Sequence, residues 1–468
     1  MEKVRTRIAP SPTGSPHIGT AYAALFNYCF AKKNKGDFIL RIEDTDRTRF
    51  VEGSEDEINE ALKWLGLEPD EGPEKDGRSG PYRQSERLDI YKEYVEKLIN
   101  SGKAYRCECT TERLTKLRDE QQKEGAVPHY DRKCRYNPPK SVENTVVRLA
   151  IPEEGETVVE DEIRGKITFQ NKLIDDQVLL KSDGFPTYHL ASVVDDYLME
   201  ISHVIRAEEW LSSAPKHVLL YSAFGWEKPK FAHLPLLRNV DKSKISKRKN
   251  PVAIDYYRQQ GYLPEALRNF LGLMGWSMSG DQEIFSLEEM IEAFSFDRID
   301  PSGPVFDVQK LDWLNGEYIR AMPEVELVKR LQQEKFSKYS NEQIIKVLPL
   351  VKERMKKLSE FDTLVSFFFE DIETPKESYL PKGKENIQAK EILGNLVEAL
   401  KNLSWTETAL EETISKFQES TSWSRRELFM TLRIIVTGRE ATPPLFSTVE
   451  LIGKEKTLER IEKAILQL

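Results

Sequence analysis

The stretch "RIAPSPTGSPHIGTAYAALFNY", from Arg7 to Tyr28, decides how the fold begins. It opens with a strand pattern, is interrupted by three prolines and a glycine, and continues after His17 as a helical pattern. A helix N-terminus favours phosphate because its first N–H groups are unpaired and its dipole end is positive. Gly19 leaves room for a ligand at the backbone, and His17 can donate to a phosphate oxygen. Taken alone, these two residues also fit an ordinary strand, turn and helix.

The bulk composition limits the class of protein. The 468 residues exceed what one hydrophobic core usually supports, which favours roughly two to four domains. The net charge of -9, from 69 basic and 78 acidic residues, argues against a general polyanion binder but not against local basic patches. No apolar run is long enough to span a membrane, and "MEKVRTRIAP" lacks a signal region, so we expect a cytoplasmic protein.

Residues 1 to about 100 alternate strand and helix patterns, which is typical of a parallel α/β sheet. "FILRIEDTD" (38–46) predicts a strand ending in acidic residues. In "SEDEINEALKWLGL" (54–67), Ser54 and Glu57 fit a capping box and Gly66 suits the helix end. From about residue 323 almost every pattern is helical.

A second motif, "DKSKISKRK" (241–249), follows the apolar segment "HLPLLRN" (233–239). Clustered lysines are usually a solvated charge run. A flexible lysine after a strand can instead reach a triphosphate and neutralise the charge that develops in a transition state. Lys244 and Lys247 are the candidates for that role.

The two motifs together carry a family resemblance. His17-Ile18-Gly19-Thr20 and Lys244 to Arg248 resemble the two signatures of class I aminoacyl-tRNA synthetases. Further segments resemble bacterial glutamyl-tRNA synthetases in particular, and the likeness covers essentially the whole chain. These segments are "RIEDTD", "YRQSER", "DGFPTYHLASVVDD", "VIRAEEW" and "TGREATPPLF". Ser192 stands where the resemblance leads us to expect an asparagine.

The resemblance implies an α/β multidomain fold with a Rossmann-type parallel-sheet catalytic domain, an inserted α+β acceptor-binding module and an all-helical C-terminal anticodon-binding region. The implied boundaries are 1–102 and 187–240 for the two catalytic halves, 103–186 for the inserted module, 241–322 for the signature loop and stem-contact domain, and 323–468 for the helical region.

The implied activity is that of a glutamate–tRNA ligase. ATP and L-glutamate would give glutamyl-adenylate and pyrophosphate, and the glutamyl group would pass to the 3'-terminal adenosine of tRNA(Glu). Mg²⁺ would accompany ATP, and the protein would act as a monomer. The resemblance assigns catalysis to His17, Gly19, Lys244 and Lys247. It assigns ATP binding to His17, Gly19, Thr20, Glu209, Leu237 and Lys247.

Glutamate brings two carboxylates and one ammonium group, and each must find a partner, because an unpaired buried charge is costly. Arginine suits carboxylates because its fork pairs with both oxygens. By resemblance, Arg7 with Tyr188 takes the side-chain carboxylate and Arg206 takes the α-carboxylate. Glu43 with Ser11 takes the ammonium group.

Three cysteines lie close together in the sequence, in "YRCECTTERLTKLRDEQQKEGAVPHYDRKCRYNPP" (105–139). The thiolates of Cys107, Cys109 and Cys134 suit a tetrahedral structural Zn²⁺. By resemblance the fourth ligand is a histidine or a tyrosine. We favour Tyr130, and Tyr136 and His129 stay open. Three thiols without a metal are the alternative.

Other functions stay open at this point. A nondiscriminating enzyme would also charge tRNA(Gln), and a tRNA-binding paralogue would lack catalysis. A generic nucleotidyltransferase would need neither the inserted module nor the helical region. Within that region, Arg354 is placed by resemblance near the last anticodon base.

Overall fold

A computed structural model describes residues 3–245, 251–333 and 335–468, so Lys247 of the predicted catalytic set lies outside the described residues. The chain forms two compact units. The first consists of Met1–Arg258 and Pro264–Leu311, and the second of Gln259–Leu263 and Asp312–Leu468. Among the described residues, no helix combines the length and the apolar character that crossing a membrane requires.

All the strands among the described residues belong to the first unit. They are β1 (Arg5–Ile8), β2 (Asp37–Leu40), β3 (Ala104–Cys107), β4 (Val146–Leu149), β5 (Glu156–Asp161), β6 (Gly165–Gln170), β7 (Val178–Leu180), β8 (His203–Ala207) and β9 (Lys230–Leu234). Its helices are α1 (Ile18–Lys33), α2 (Ser54–Trp64), α3 (Leu88–Asn100), α4 (Thr111–Lys123), α5 (Lys133–Tyr136), α6 (Tyr188–Leu198), α7 (Ala214–Phe224), α9 (Pro264–Leu273) and α10 (Leu287–Ala293). Two helices, α8 (Ile254–Gln259) and α11 (Val308–Ala321), include residues of both units.

The strand pairing confirms the predicted α/β class. β1 pairs parallel with β2, and β9 lies parallel between β8 and β5 in a sheet ordered β6-β5-β9-β8. β5 and β6 form an antiparallel hairpin, and β3, β4 and β7 form a separate antiparallel sheet. The hairpin comes from the stretch predicted as the inserted module, and it extends the sheet of β9 and β8.

Helix α1 buries residues around its whole circumference, which fits a mostly apolar sequence without a polar face; its last residue, Lys33, is exposed. Its one buried amide, Asn27, donates to the carbonyl of Ile205 (2.9 Å), and the carbonyl of Asn27 accepts from the Thr6 hydroxyl (2.9 Å). These bonds satisfy buried polar groups and tie α1 to β1 and β8. The N-terminus of α1 is thereby held near the carboxyl ends of both strands.

The start of α2 corrects one sequence prediction. Ser54 is the first helical residue, and the residue before it, Gly53, is the N-cap with a φ of 81°. The Ser54 hydroxyl makes no cap and instead accepts from the backbone N–H of Gly14 (2.9 Å). A tertiary contact has taken the side chain that the capping box needed. The predicted helix end is confirmed, because Gly66 follows α2 in the left-handed region at a φ of 64°.

The second unit confirms the predicted helical C-terminal region. Its helices after α11 are α12 (Glu324–Gln333), α13 (Asn341–Val351), α14 (Phe361–Phe369), α15 (Lys376–Tyr379), α16 (Asn386–Lys401), α17 (Glu407–Glu419), α18 (Arg425–Thr437), α19 (Leu445–Ile452) and α20 (Lys454–Gln467). Trp423 packs in this core at 1% exposure. In the described part of this unit every regular element is a helix.

Candidate active site and cysteine cluster

A cavity of about 810 Å³ opens in the first unit, where β1 and β8 end and α1 begins. Open α/β sheets bind ligands at such carboxyl ends. Every described residue that the resemblance assigns to glutamate or ATP lines this cavity: Arg7, Ser11, His17, Gly19, Thr20, Glu43, Tyr188, Arg206, Glu209, Leu237 and Lys244. Residues far apart in sequence therefore meet in one place.

At the mouth of α1, His17 is the N-cap. Its Nδ1 accepts a hydrogen bond from the Gly19 backbone N–H (2.9 Å). In the neutral ring the proton then sits on Nε2, which makes that nitrogen a donor. A Cβ on Gly19 would lie 3.1 Å from His17 Nδ1, so a side chain there would press on the ring. The glycine therefore also protects the cap.

On one side of the cavity, buried carboxylates hold the arginines. Arg7 donates through Nε (3.0 Å) and Nη2 (3.3 Å) to the two oxygens of Asp196, and Arg41 donates to the same carboxylate (2.7 Å). Burial opposes ionisation of Asp196, but Arg7 and Arg41 hold the pKa of that carboxyl below its usual range. Arg7 is therefore fixed before a ligand arrives.

Glu43 lies beside the same cluster. Arg41 donates to Glu43 Oε1 (3.1 Å). Burial raises the pKa of Glu43, and the neighbouring Arg41 opposes that rise. Arg41 is shared between the two carboxylates, of which Glu43 lines the cavity and Asp196 lies buried behind it. A negative group at this position can receive an ammonium ion.

Arg206 is anchored on β8. It donates to Tyr188 (3.0 Å), to His217 Nδ1 (3.3 Å) and to His233 Nε2 (3.1 Å). Tyr188, which the resemblance pairs with Arg7, thus accepts from Arg206 and keeps its own proton to donate. Its ring also packs on Trp210, with centroids 4.4 Å apart. Ser192, on the neighbouring α6, is fully buried, and its hydroxyl meets no partner in the described part of the chain.

The part of the cavity wall that carries Lys244 and Glu209 is more open. Lys244 forms an ion pair with Glu209, and their side chains are 56% and 42% exposed. Ile245 N–H donates to the carbonyl of Leu237 (3.0 Å), so the chain approaches position 246 along the cavity wall. After position 250 it returns beside His17, because Ile18 N–H donates to the carbonyl of Val252 (2.6 Å). The segment before the gap therefore lines the cavity, and the segment after it lies beside the start of α1.

The three predicted cysteines form a second cluster. Their sulfur atoms all lie within 4.8 Å of one another, and Cys109 and Cys134 are 3.5 Å apart. Zn–S bonds of about 2.3 Å place tetrahedral sulfurs about 3.8 Å apart, so the cluster fits Zn²⁺ with little movement. The Tyr130 hydroxyl lies 3.3 Å from Cys107 Sγ and 3.6 Å from Cys109 Sγ. Its position suits a fourth ligand.

The other two candidates for the fourth ligand lie elsewhere. Tyr136 is 61% exposed, and its hydroxyl contacts Glu153. His129 is exposed, and its Nδ1 is 3.1 Å from the Val127 carbonyl. Neither ring reaches the sulfur atoms as the chain stands.

Arg354 lies in the second unit, in the single turn Lys352–Arg354, and is exposed. It has a basic neighbour: burial and the charge of Arg354 lower the pKa of Arg433. Positive charge is therefore concentrated here, which suits an anionic partner.

Sequence reasoning missed the residues behind the site: Arg41, Asp161, Asp196, His217 and His233. The signals were faint. Asp195-Asp196 is an acidic pair in an otherwise apolar helix, and Arg41 is a charge inside an apolar run. Such charges need buried partners, but only the fold shows which ones.

Comparison with known proteins gives the family. Residues 3–313 match the family described as class I tRNA synthetases (E and Q), catalytic domain, and residues 325–465 match an anticodon binding domain. The glutamate–tRNA ligase of Thermus thermophilus is 48% identical over 99% of this chain and all of its own. That of Acidothermus cellulolyticus is 47% identical over 98% and 95%.

A solved structure agrees along the whole chain. The crystal structure of a glutamate tRNA ligase from Elizabethkingia meningosepticum, in complex with its amino acid, superposes with a TM-score of 0.89 at 37% identity, covering all of both chains. Together with the cavity and the two signatures, these likenesses lead to one conclusion: the chain belongs to the glutamate–tRNA ligase family of class I tRNA synthetases.

Proposed function

We propose that this ATP-dependent ligase activates L-glutamate in the cavity of the first unit and passes it to tRNA(Glu). One observation carries the proposal: every described residue expected to hold glutamate or ATP lines the same cavity of about 810 Å³. The reaction has two steps. An oxygen of the glutamate α-carboxylate attacks the α-phosphorus of ATP, which forms glutamyl-adenylate as pyrophosphate leaves. A hydroxyl of the 3'-terminal adenosine then attacks the α-carbonyl carbon, and AMP leaves.

The buried side of the cavity binds the amino acid. Arg7 and Tyr188 take the side-chain carboxylate, and Arg206 takes the α-carboxylate. Glu43 and Ser11 take the ammonium group. Support comes from the fixed positions of both arginines, which are 4% and 6% exposed and hydrogen-bonded from behind. No protein nucleophile is needed, so catalysis rests on orientation and charge.

The open side of the cavity binds ATP. His17 Nε2–H, the backbone at Gly19 and Thr20, Glu209 and Leu237 bind the nucleotide. Lys244 and Lys247 neutralise pyrophosphate as it departs, which requires Lys244 to leave Glu209. Mg²⁺ carried with ATP supplies further charge neutralisation.

The cysteine cluster is proposed to hold a structural Zn²⁺ through Cys107, Cys109, Cys134 and Tyr130. Such a metal stabilises the fold around it. Elemental analysis should find about one zinc per chain, and Cys134→Ser should remove it. Cys29→Ala, a buried cysteine outside the cluster, is the matched control and should keep the metal. Equal zinc in both variants would contradict the assignment.

The resemblance also supports the remaining parts of the proposal. It divides the chain into five functional segments: 1–102, 103–186, 187–240, 241–322 and 323–468. By the same resemblance, Arg354 contacts the anticodon, and the enzyme works as a cytoplasmic monomer. Gel filtration with light scattering checks the oligomeric state.

The deciding experiment is aminoacylation with ATP, Mg²⁺ and radiolabelled glutamate, run on tRNA(Glu) and tRNA(Gln) separately. We expect charging of tRNA(Glu) alone. Charging of both would keep the chemistry and replace the discriminating assignment by a nondiscriminating one. Charging of neither by folded protein would overturn the proposed function.

A further inference from the structure

A line of hydrogen bonds runs behind the amino-acid side of the cavity. Asp161 Oδ2 lies 2.5 Å from His233 Nδ1, and Arg206 Nε donates to His233 Nε2 (3.1 Å). Arg206 Nη1 lies 3.3 Å from His217 Nδ1, and His217 Nε2 lies 3.1 Å from His189 Nδ1. The cavity residue Arg206 is the middle member of this line.

The fold creates the line through register. Arg206 on β8 and His233 on β9 are direct partners in the parallel pair, so their side chains share one face. Asp161 ends β5 and partners Phe231 of the same β9. His217 comes from α7, which covers that face. Asp161, Arg206, His217 and His233 are each at most 6% exposed.

The bonds fix the proton on each ring. Asp161 can only accept, so His233 carries its proton on Nδ1 and offers Nε2 to Arg206. Arg206 can only donate, so His217 accepts on Nδ1 and donates from Nε2 to His189. Burial and the charge of Arg206 hold the pKa of His217 well below its ordinary value, which keeps that ring neutral.

We propose that Asp161, His233 and His217 are positioning residues, which orient Arg206 for the α-carboxylate of glutamate. His233 occupies Nε, and Tyr188 and His217 occupy Nη1. Nη2 makes one longer contact, 3.4 Å to the Trp210 carbonyl. Nη2 is therefore the guanidinium nitrogen that binds the α-carboxylate of the substrate. This inference rests on the proposed function of Arg206.

Asp161→Asn tests the proton assignment. Asp161 Oδ1 accepts the backbone N–H groups of Ile163 (3.1 Å) and Arg164 (2.9 Å), so an asparagine that keeps them turns its NH₂ toward His233. The His233 backbone N–H is shared between Oδ1 (3.3 Å) and Oδ2 (3.1 Å), and in the variant it keeps only the contact with Oδ1. The ring must then accept on Nδ1 and carry its proton on Nε2, facing the Arg206 Nε–H. The His233 Nε2–H and the Arg206 Nε–H then face each other as two donors, and their repulsion displaces the guanidinium. A wrong histidine tautomer disrupts catalysis in other enzymes in a similar way.

In aminoacylation of tRNA(Glu), Asp161→Asn should raise the KM for glutamate about tenfold or more and leave the KM for ATP within about twofold. Asp70→Asn is the control. Asp70 also accepts a backbone N–H, from Phe38 (2.8 Å), pairs with Lys32 and does not line the cavity. Both of its KM values should stay near those of the unmodified chain.

A second pair of variants covers poor folding of Asp161→Asn. Asparagine and leucine have nearly the same shape, but only asparagine accepts a hydrogen bond. His217→Asn should therefore keep the glutamate KM several-fold below that of His217→Leu. Equal glutamate KM values in this pair would overturn the inference, as would parallel changes for ATP and glutamate in Asp161→Asn. If the unmodified chain charges tRNA(Glu), either result refutes only the positioning role and not the proposed function.

Discussion

The two sides of the cavity are built differently. On the amino-acid side, Arg7 and Arg206 are nearly inaccessible and are held by Asp196 and His233. On the phosphate side, the Lys244 side chain pairs with Glu209, and both side chains are about half exposed. A buried guanidinium with fixed partners loses little freedom when a ligand binds, whereas an exposed lysine is free to move during the reaction. The contrast separates the arginines that bind the amino acid from the lysine that moves during the reaction.

The largest loss of activity is expected from a change on the phosphate side. Lys247→Ala should lower the rate of adenylate formation by about 100-fold or more, because charge stabilisation is lost where pyrophosphate departs. Pyrophosphate exchange in the presence of tRNA(Glu) measures it. Lys249→Ala, in the same charge run, is the control and should stay close to the unmodified rate. Full activity of Lys247→Ala would remove its proposed role.

The next largest effect is a loss of stability from a change on the amino-acid side. Asp196→Asn removes the shared counter-charge of Arg7 and Arg41. Uncompensated buried charge costs about 3 kcal/mol, so the melting temperature should fall by several degrees. Differential scanning fluorimetry measures the change. Asp89→Asn, which removes an exposed carboxylate paired with Lys92, should change stability by less than about 1 kcal/mol. A similar loss in both variants would break the comparison.

A pH effect should follow from the buried histidines of the first unit. Burial lowers the pKa of His189 to about 4 and that of His203 to about 4, against an ordinary value of 6.5. Between those values the unfolded chain binds more protons than the folded one, so stability falls as pH drops from 6.5 toward 4. Melting temperatures across this window check the sign. His203→Gln should flatten the slope, and an unchanged slope would argue against this origin.

The smallest effect belongs to the exposed pair. Glu209→Gln breaks the ion pair with Lys244 but should change the free energy of unfolding by less than about 1 kcal/mol. Thermal melts of this variant beside Asp196→Asn compare the two sides directly. A loss as large as that of Asp196→Asn would mean that the phosphate side is also fixed in advance.

Two parts of the structure could be located from local patterns in the sequence. The proline-rich turn before His17 and the helical pattern after it located the mouth of α1, and the cysteine spacing located the sulfur cluster. Local patterns carry such features because turns, caps and chelating spacings are short-range. Family resemblance added the cavity residues from β1, β8 and the later loops.

The supporting layer was not predictable in the same way. Arg41 meets Asp196 across 155 residues, and Asp161 meets His233 across 72. Ser54 shows how a long-range contact can override a local pattern. The capping-box spacing predicted a helix cap, but the Ser54 hydroxyl instead accepts from the backbone N–H of Gly14. Long-range partners depend on strand register and helix packing, which a single sequence does not encode as a pattern.

The central claim is that the amino-acid side is preformed while the phosphate side rearranges. A crystal structure of the chain with L-glutamate and a non-hydrolysable ATP analogue tests it most directly. We predict that Arg7 stays on Asp196 and Arg206 stays on His233, while Lys244 has left Glu209 for the phosphates. Arginines displaced from these partners, or Lys244 still paired with Glu209 beside a bound triphosphate, would contradict the account.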